Sequence, residues 1–237
     1  AARRGLNHHI PWSRYRAAGV VDDLLQGVAL RLPGPPVQRA RLARRALYRR
    51  GALLARRAAR EVPPAGVVVG TSGNSEAAFA AAKARGSMAV LDYPIAHHRY
   101  ARELLREEAQ LKPEFAGTLQ FFDWPPDVEE RMDNEIALAD LVLVSSHFVA
   151  ESFVRAGAPS ENIKVVPYGV DIERFRPPTE RRDNQCRVLF VGQIGQRKGL
   201  SYLLDAYRSF ARHDTVLLLV GNLVGYPAPL ARYGDLF

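Results

Sequence analysis

From residue 66 onward the sequence alternates short apolar runs with stretches of helical period, and this alternation narrows the possible folds more than any other feature. A strand buried on both faces reads as a nearly continuous apolar run, and the helix that carries the chain back to a parallel neighbour reads with a 3.6-residue period. The strands read from the sequence are GVVVG at 66–70, MAVLDY at 88–93, LVLVS at 141–145, IKVVP at 163–167, RVLFVG at 187–192 and TVLLLVGN at 215–222. The intervening helices are SEAAFAAAKAR, a charged one around ARELLREEAQ, VEERMDNEIALA, FVAESFVRAG and LSYLLDAYRSFAR. Asn74 or Ser75 can cap the first of these and Ser146 the fourth, while Gly86 and Gly157 stand where a left-handed residue ends a helix. In the last helix Leu200, Leu203, Leu204, Tyr207 and Phe210 share one face and are expected to point at a core. The pattern predicts an α/β fold with parallel sheets.

At 237 residues and 47% hydrophobic, the chain is long enough to bury one large core or two smaller ones. Residues 167–185, PYGVDIERFRPPTERRDNQ, concentrate proline, glycine and charge as an interdomain connection does, and the strand pattern restarts after them. The expected division is therefore a first domain over 1–167, a connection over 168–185 and the start of a second domain over 186–237. No run approaches the roughly 18 apolar residues of a spanning helix, and the opening AARRGLNHHIPW lacks a secretion signal's apolar stretch. With Cys186 the single cysteine, an internal disulfide framework is excluded, and a cytoplasmic location is expected.

The net charge of +8 fits either an anionic partner or the arginine-rich coding of a GC-rich genome. Residues 37–61 should form a helix with Arg41, Arg45, Arg49, Arg56 and Arg60 recurring at helical spacing. Such a stripe, spanning 39–60, can adsorb to an anionic membrane surface or can be the solvated side of a crossover helix. The second alternative is preferred here, because Leu42, Leu47, Leu53 and Leu54 would then serve the core.

Two stretches could hold a phosphate. FVGQIGQRKGL at 190–200 carries an apolar strand into glycines and then the basic pair Arg197 and Lys198. It is not a nucleotide-triphosphate loop, since its last glycine follows the lysine and no hydroxyl follows to support magnesium. GTSGNSEAAFAAAKARG at 70–86 resembles the hydroxyl-rich loop of sugar isomerase type phosphosugar-binding domains, with Thr71, Ser72, Asn74 and Ser75 at a helix N-terminus. A third possibility is a non-catalytic interaction module. His8, His9, His97 and His98 are unattractive as metal ligands, because adjacent histidines lack the i, i+4 spacing of a helical site and no cysteine or carboxylate cluster accompanies them.

Taken in order, LDYPIAHH at 91–98, ALADLVLVSSHFVAESFVRAGAPSENIKVVPYGVDIERFRP at 137–177 and VLFVGQIGQRKGLSYLLDAY at 188–207 resemble glycosyltransferase family 4. The resemblance implies the GT-B architecture, in which two Rossmann-like domains hold the acceptor and the nucleotide sugar, here with the second domain incomplete. It implies a retaining transfer of a sugar to an acceptor hydroxyl on a glycan or a lipid-linked molecule, with the nucleotide sugar as co-substrate, no metal, no other cofactor and no nucleic acid. Lys198 takes the place of the lysine that binds the donor diphosphate, with Gly192, Gln193 and Arg197 around it. Gln193 departs from the arginine usual just after the strand glycine, which leaves the role of Arg197 open. His97 matches a histidine near the reacting sugar, although His98 beside it blurs the register and a plain loop histidine is the alternative. Gly169 and Asp171 match the domain junction. The two glutamates that close the family's donor site have no counterpart here, and neither does its opening strand and glycine-rich turn, so the sequence is expected to be a fragment.

Overall fold

The computed structural model describes residues 36–62, 64, 66–119, 124–177, 184–225 and 228–236, with backbone alone for 36–47 and 61. His8 and His9, the side chains of Arg41, Leu42, Arg45 and Leu47, and part of the 167–185 connection lie outside the described residues. The elements are α1 (Pro36–Glu61), β1 (Val67–Thr71), α2 (Glu76–Lys83), β2 (Met88–Tyr93), α3 (His98–Leu111), α4 (Pro126–Leu138), β3 (Leu141–Val144), α5 (His147–Arg155), β4 (Ile163–Val165), β5 (Cys186–Val191), α6 (Leu200–Phe210) and β6 (Thr215–Val220). Short 3-10 segments occupy Pro113–Thr118, Ser160–Asn162, Gln196–Lys198 and Ala228–Leu236. Every strand and helix expected from the alternation is present, and the fold is α/β with parallel strand pairs.

The chain divides into two compact units, Ala1–Tyr93 with Trp124–Leu143, and Pro94–Asp123 with Val144–Phe237. In the first unit β1 and β2 pair in parallel from Val67 opposite Met88 to Thr71 opposite Asp92. β3 is the next neighbour: the Asp140 N–H donates to the Ala89 carbonyl at 2.9 Å, and the Asp140 carboxylate accepts from the Ala89 N–H at 2.8 Å. The Lys83 ammonium also donates to that carboxylate, and the two bonds hold the Asp140 pKa below the ordinary carboxylate value. Phe79, Ala82, Leu91, Tyr93, Met132 and Val142 are buried in this unit. β1 does not behave as the fully buried strand that GVVVG suggests. It is an edge strand, and Val67 and Val69 on one of its faces are 52% and 65% exposed.

A second correction concerns α1. Leu53 and Leu54, expected in the core, are 66% and 46% exposed. The helix packs through its small residues instead: Ala59 is buried, and a Cβ at Gly51 would come within 2.6 Å of Asn74 Oδ1. An approach that close leaves no room for leucine on the same side, so the leucines turn outward.

In the second unit β5 and β6 form a parallel pair, from Cys186 opposite Thr215 to Val191 opposite Val220. Phe190, Leu217 and Leu219 on one face pack on a cluster of Phe115, Ile194, Leu200, Leu204 and Tyr233. The period-2 alternation of strand side chains leaves Leu189, Val191, Leu218 and Val220 exposed on the other face. The Tyr233 hydroxyl donates to Asp205 Oδ1 at 2.7 Å, and burial together with this bond pushes its pKa up to about 12. Of the five residues expected on the inner face of α6, Leu200, Leu204 and Tyr207 are buried and Leu203 is half-buried. Phe210 is exposed, because it closes the helix beyond the core and its ring meets Tyr207 edge-on at 5.4 Å.

Candidate functional site

β5 ends at Val191, and the chain then makes a turn bounded by glycines before α6 begins. Gly192 adopts φ +147° and donates its N–H to the Val220 carbonyl at 2.9 Å. Gly221, at the matching end of β6, adopts φ +150°, and a Cβ there would lie 1.7 Å from the Gly192 carbonyl oxygen. The two parallel strands thus leave their sheet in backbone contact, and only glycine fits. Ile194 continues the ladder with N–H donation to Asn222 at 2.9 Å and stays buried. Gly199, at φ +73°, closes the 3-10 turn Gln196–Lys198 and opens α6. The carboxyl ends of parallel strands, followed by a helix N-terminus, are where α/β sheets place ligands.

Gly192, Gln193, Arg197 and Lys198 come together on this one turn. The Arg197 guanidinium donates to Gln193 Oε1 at 3.2 Å, which ties the neighbouring cation to the turn. Lys198 is exposed, and its ammonium has no ion-pair partner among the described residues. Gly195 is packed closely, because a Cβ there would meet the Thr118 carbonyl at 3.1 Å and Val224 Cβ at 3.2 Å. Its missing side chain makes room for protein.

The turn is anchored by Gln196, which sequence reasoning passed over. This side chain is 2% exposed and fully engaged: Oε1 accepts from the Ser201 N–H at 3.0 Å, and Nε2 donates to Glu108 Oε1 at 2.6 Å and to Ser201 Oγ at 2.7 Å. Its backbone N–H donates to Thr118 Oγ1 at 2.9 Å. The Tyr202 hydroxyl donates to Glu108 Oε2 at 3.0 Å, which fixes the carboxylate in turn. Thr118 also lines a cavity of about 380 Å³ with Glu114, Gly117, Ala228 and Pro229. Gln196 was visible inside the motif, but its partners Thr118 and Glu108 lie 78 and 88 residues away, and no local signal links them.

The other sequence candidates sit elsewhere. His97 is 4% exposed and caps α3, with Nδ1 accepting from the Arg99 N–H at 3.4 Å and its backbone N–H donating to Ser152 Oγ at 2.9 Å. Its ring stacks on His98 at 4.3 Å and meets Phe153 edge-on at 5.1 Å. Asp171 Oδ1 accepts from the N–H groups of Glu173 and Arg174 at 3.0 and 3.1 Å, so it caps a local turn, and Gly169 is exposed.

The loop at 70–76 shows a different arrangement from a helix capped by Asn74 or Ser75. Ser75 Oγ donates to the Thr71 carbonyl at 2.6 Å and makes no cap. The capping group is the fully buried Glu135 of α4: Oε2 accepts from the Gly73 N–H at 2.6 Å, and Oε1 from those of Ser75 and Glu76 at 2.6 and 3.3 Å. Burial raises the Glu135 pKa, against the lowering effect of these three bonds and of Arg131. The anion-accepting amides of this loop are thereby filled by the protein's own carboxylate.

No protein-family model and no curated protein matches the sequence. Among solved structures, similar chains include Anabaena HepE in complex with UDP and glucose, at 17% identity and a TM-score of 0.44, over 78% of this chain and 46% of that one. The same protein in complex with UDP matches at 17% identity and a TM-score of 0.47, over 78% of this chain and 49% of that one. The chain spans about half the length of the solved chains it matches.

Proposed function

We propose that the turn between β5 and α6 binds the diphosphate of a nucleotide sugar, and that the chain is part of a retaining GT-B glycosyltransferase that passes the sugar to an acceptor hydroxyl. The observation that carries this is Lys198, an exposed ammonium with no ion-pair partner among the described residues, at the carboxyl edge of a parallel strand pair. A cation fixed there stabilises negative charge as it develops on the departing diphosphate, which is an interaction strongest in the transition state. Arg197, tethered to Gln193, supplies a second cation. With two cations available, the reading needs no metal at this step. His97 enters it as the residue that sets the start of α3. Residues 1–167 would serve the acceptor side and those from 186 the donor side, in a cytoplasmic protein; among the described residues no helix is long and apolar enough to cross a membrane.

The test is calorimetric titration of the chain with UDP, ADP and GDP, each alongside its nucleoside. One diphosphate should bind, and Lys198→Ala should weaken it roughly 10- to 100-fold, the worth of a charge-assisted hydrogen bond, while leaving nucleoside binding unchanged. In a complete enzyme the same substitution should lower turnover by about two to three orders of magnitude. Equal affinity in the variant removes Lys198 from the site, and a chain that takes up no nucleotide favours the interaction-module alternative. The phosphosugar alternative is weakened independently, because Glu135 already accepts from the amides that a sugar phosphate would need.

A further inference from the structure

The outward turn of α1 creates a surface that the glycosyltransferase reading does not use. At about 100° per residue, Arg49, Arg60, Leu53 and Arg57 fall within an arc of roughly 80°, and Leu54 lies about 60° beyond it. All five are exposed, Leu53 at 66% and Leu54 at 46%. Arg56 is set aside, since it lines a separate cavity together with Glu76, Asp127, Glu130 and Arg131. Among the described residues the arc therefore carries three cations on both sides of Leu53, with Leu54 at its edge, on a helix packed elsewhere through small residues.

We propose that this face of α1 docks on an anionic lipid surface, the two leucines entering the headgroup boundary and the three arginines meeting lipid phosphates. Charge complementarity selects this occupant. A solvated helix face gains nothing from two exposed leucines, and a protein partner of ordinary composition would have to desolvate three guanidinium groups beside them. An anionic bilayer surface offers negative charge and an apolar layer a few ångströms apart, in the arrangement an amphipathic helix presents. Each basic residue near such a surface contributes roughly fivefold to partitioning. Apolar insertion adds a part that salt does not screen, whereas the electrostatic part falls once the Debye length shrinks below about 10 Å.

The experiment is co-sedimentation of the 237-residue chain with vesicles of phosphatidylglycerol and phosphatidylcholine at 3:7, and with pure phosphatidylcholine, at low and high salt. The chain should bind the anionic vesicles and not the neutral ones. Leu53→Ser with Leu54→Ser should weaken binding by about tenfold and remove the fraction that survives high salt. Arg49→Gln with Arg60→Gln should weaken it about 25-fold, as two fivefold factors. Arg212→Glu, which changes an exposed arginine of the other unit and shifts the net charge by the same two charges, is the control and should bind as the unaltered chain does. Circular dichroism confirms that each variant is folded. Equal weakening by Arg212→Glu would reduce the effect to net charge and overturn the proposal. So would leucine variants that bind normally, or a chain that ignores lipid and self-associates through α1.

Discussion

Glu135→Ala probes a cap supplied from about 60 residues away in the sequence. Ala at 135 removes the acceptor of the Gly73, Ser75 and Glu76 N–H groups, which sit at 2.6, 2.6 and 3.3 Å from the carboxylate. A buried donor left without an acceptor costs about 1–3 kcal/mol; only Ser75 is fully buried and Gly73 and Glu76 are half-buried, so the three together stay well under about 9 kcal/mol. Two terms offset this: the desolvation of a buried carboxylate disappears, and water can enter the void. A net loss of about 2–4 kcal/mol at pH 7 remains, measured by urea denaturation. Glu135→Gln keeps the volume and the acceptor facing Ser75 and Glu76, but sets an NH₂ against the Gly73 N–H, so its loss should be about 1 kcal/mol. The pH dependence gives a second handle. Because burial raises the folded pKa above 4.5, the folded state binds more protons than the unfolded one between the two values. The proton-linked part of its stability is therefore fully present below pH 4.5 and is lost as pH rises through the folded pKa, while the packing and hydrogen-bonding part remains at pH 7; the Gln variant should lack that slope. An Ala variant within about 0.5 kcal/mol of the parent, with the Gly73 and Ser75 amides still protected from hydrogen exchange, would refute the capping role.

Gln196→Ala should strand the buried Ser201 N–H and leave Glu108 without its strongest donor, lowering stability by about 1–3 kcal/mol. If the turn presents Lys198, nucleoside diphosphate affinity should fall with it while nucleoside binding holds, and unchanged affinity would separate Gln196 from the site. Gly221→Ala should be the most damaging single substitution considered, because its Cβ would lie 1.7 Å from the Gly192 carbonyl at φ +150°, and neither backbone can yield without breaking the β5–β6 ladder. Failure to recover folded protein is the expected result, and a variant of near-normal thermal midpoint would contradict the close approach of the two strand ends.

What the sequence determined by itself was local. Period and punctuation located all six strands and the helices between them, with MAVLDY matching β2 end to end, because backbone hydrogen bonding and helix capping are decided within a few residues. The same local chemistry placed Gly192, Gly199 and the basic pair on one turn, since only glycine enters those dihedral angles freely. Tertiary structure decided which groups complete the sites and which faces are covered. Ser75 is a good cap by residue type, yet Glu135, 60 residues away, accepts from its N–H, because packing α4 on α2 brings a carboxylate to the bare amides. Gln196 carries no local sign of its role, which depends on α3 and the 113–118 turn bringing Glu108 and Thr118 to it. Leu53 and Leu54 carried the hydrophobicity of core residues, and the close fit of Gly51 against Asn74 turned them to the outside. Burial depends on which face reaches a partner first, and that is a property of the assembled chain.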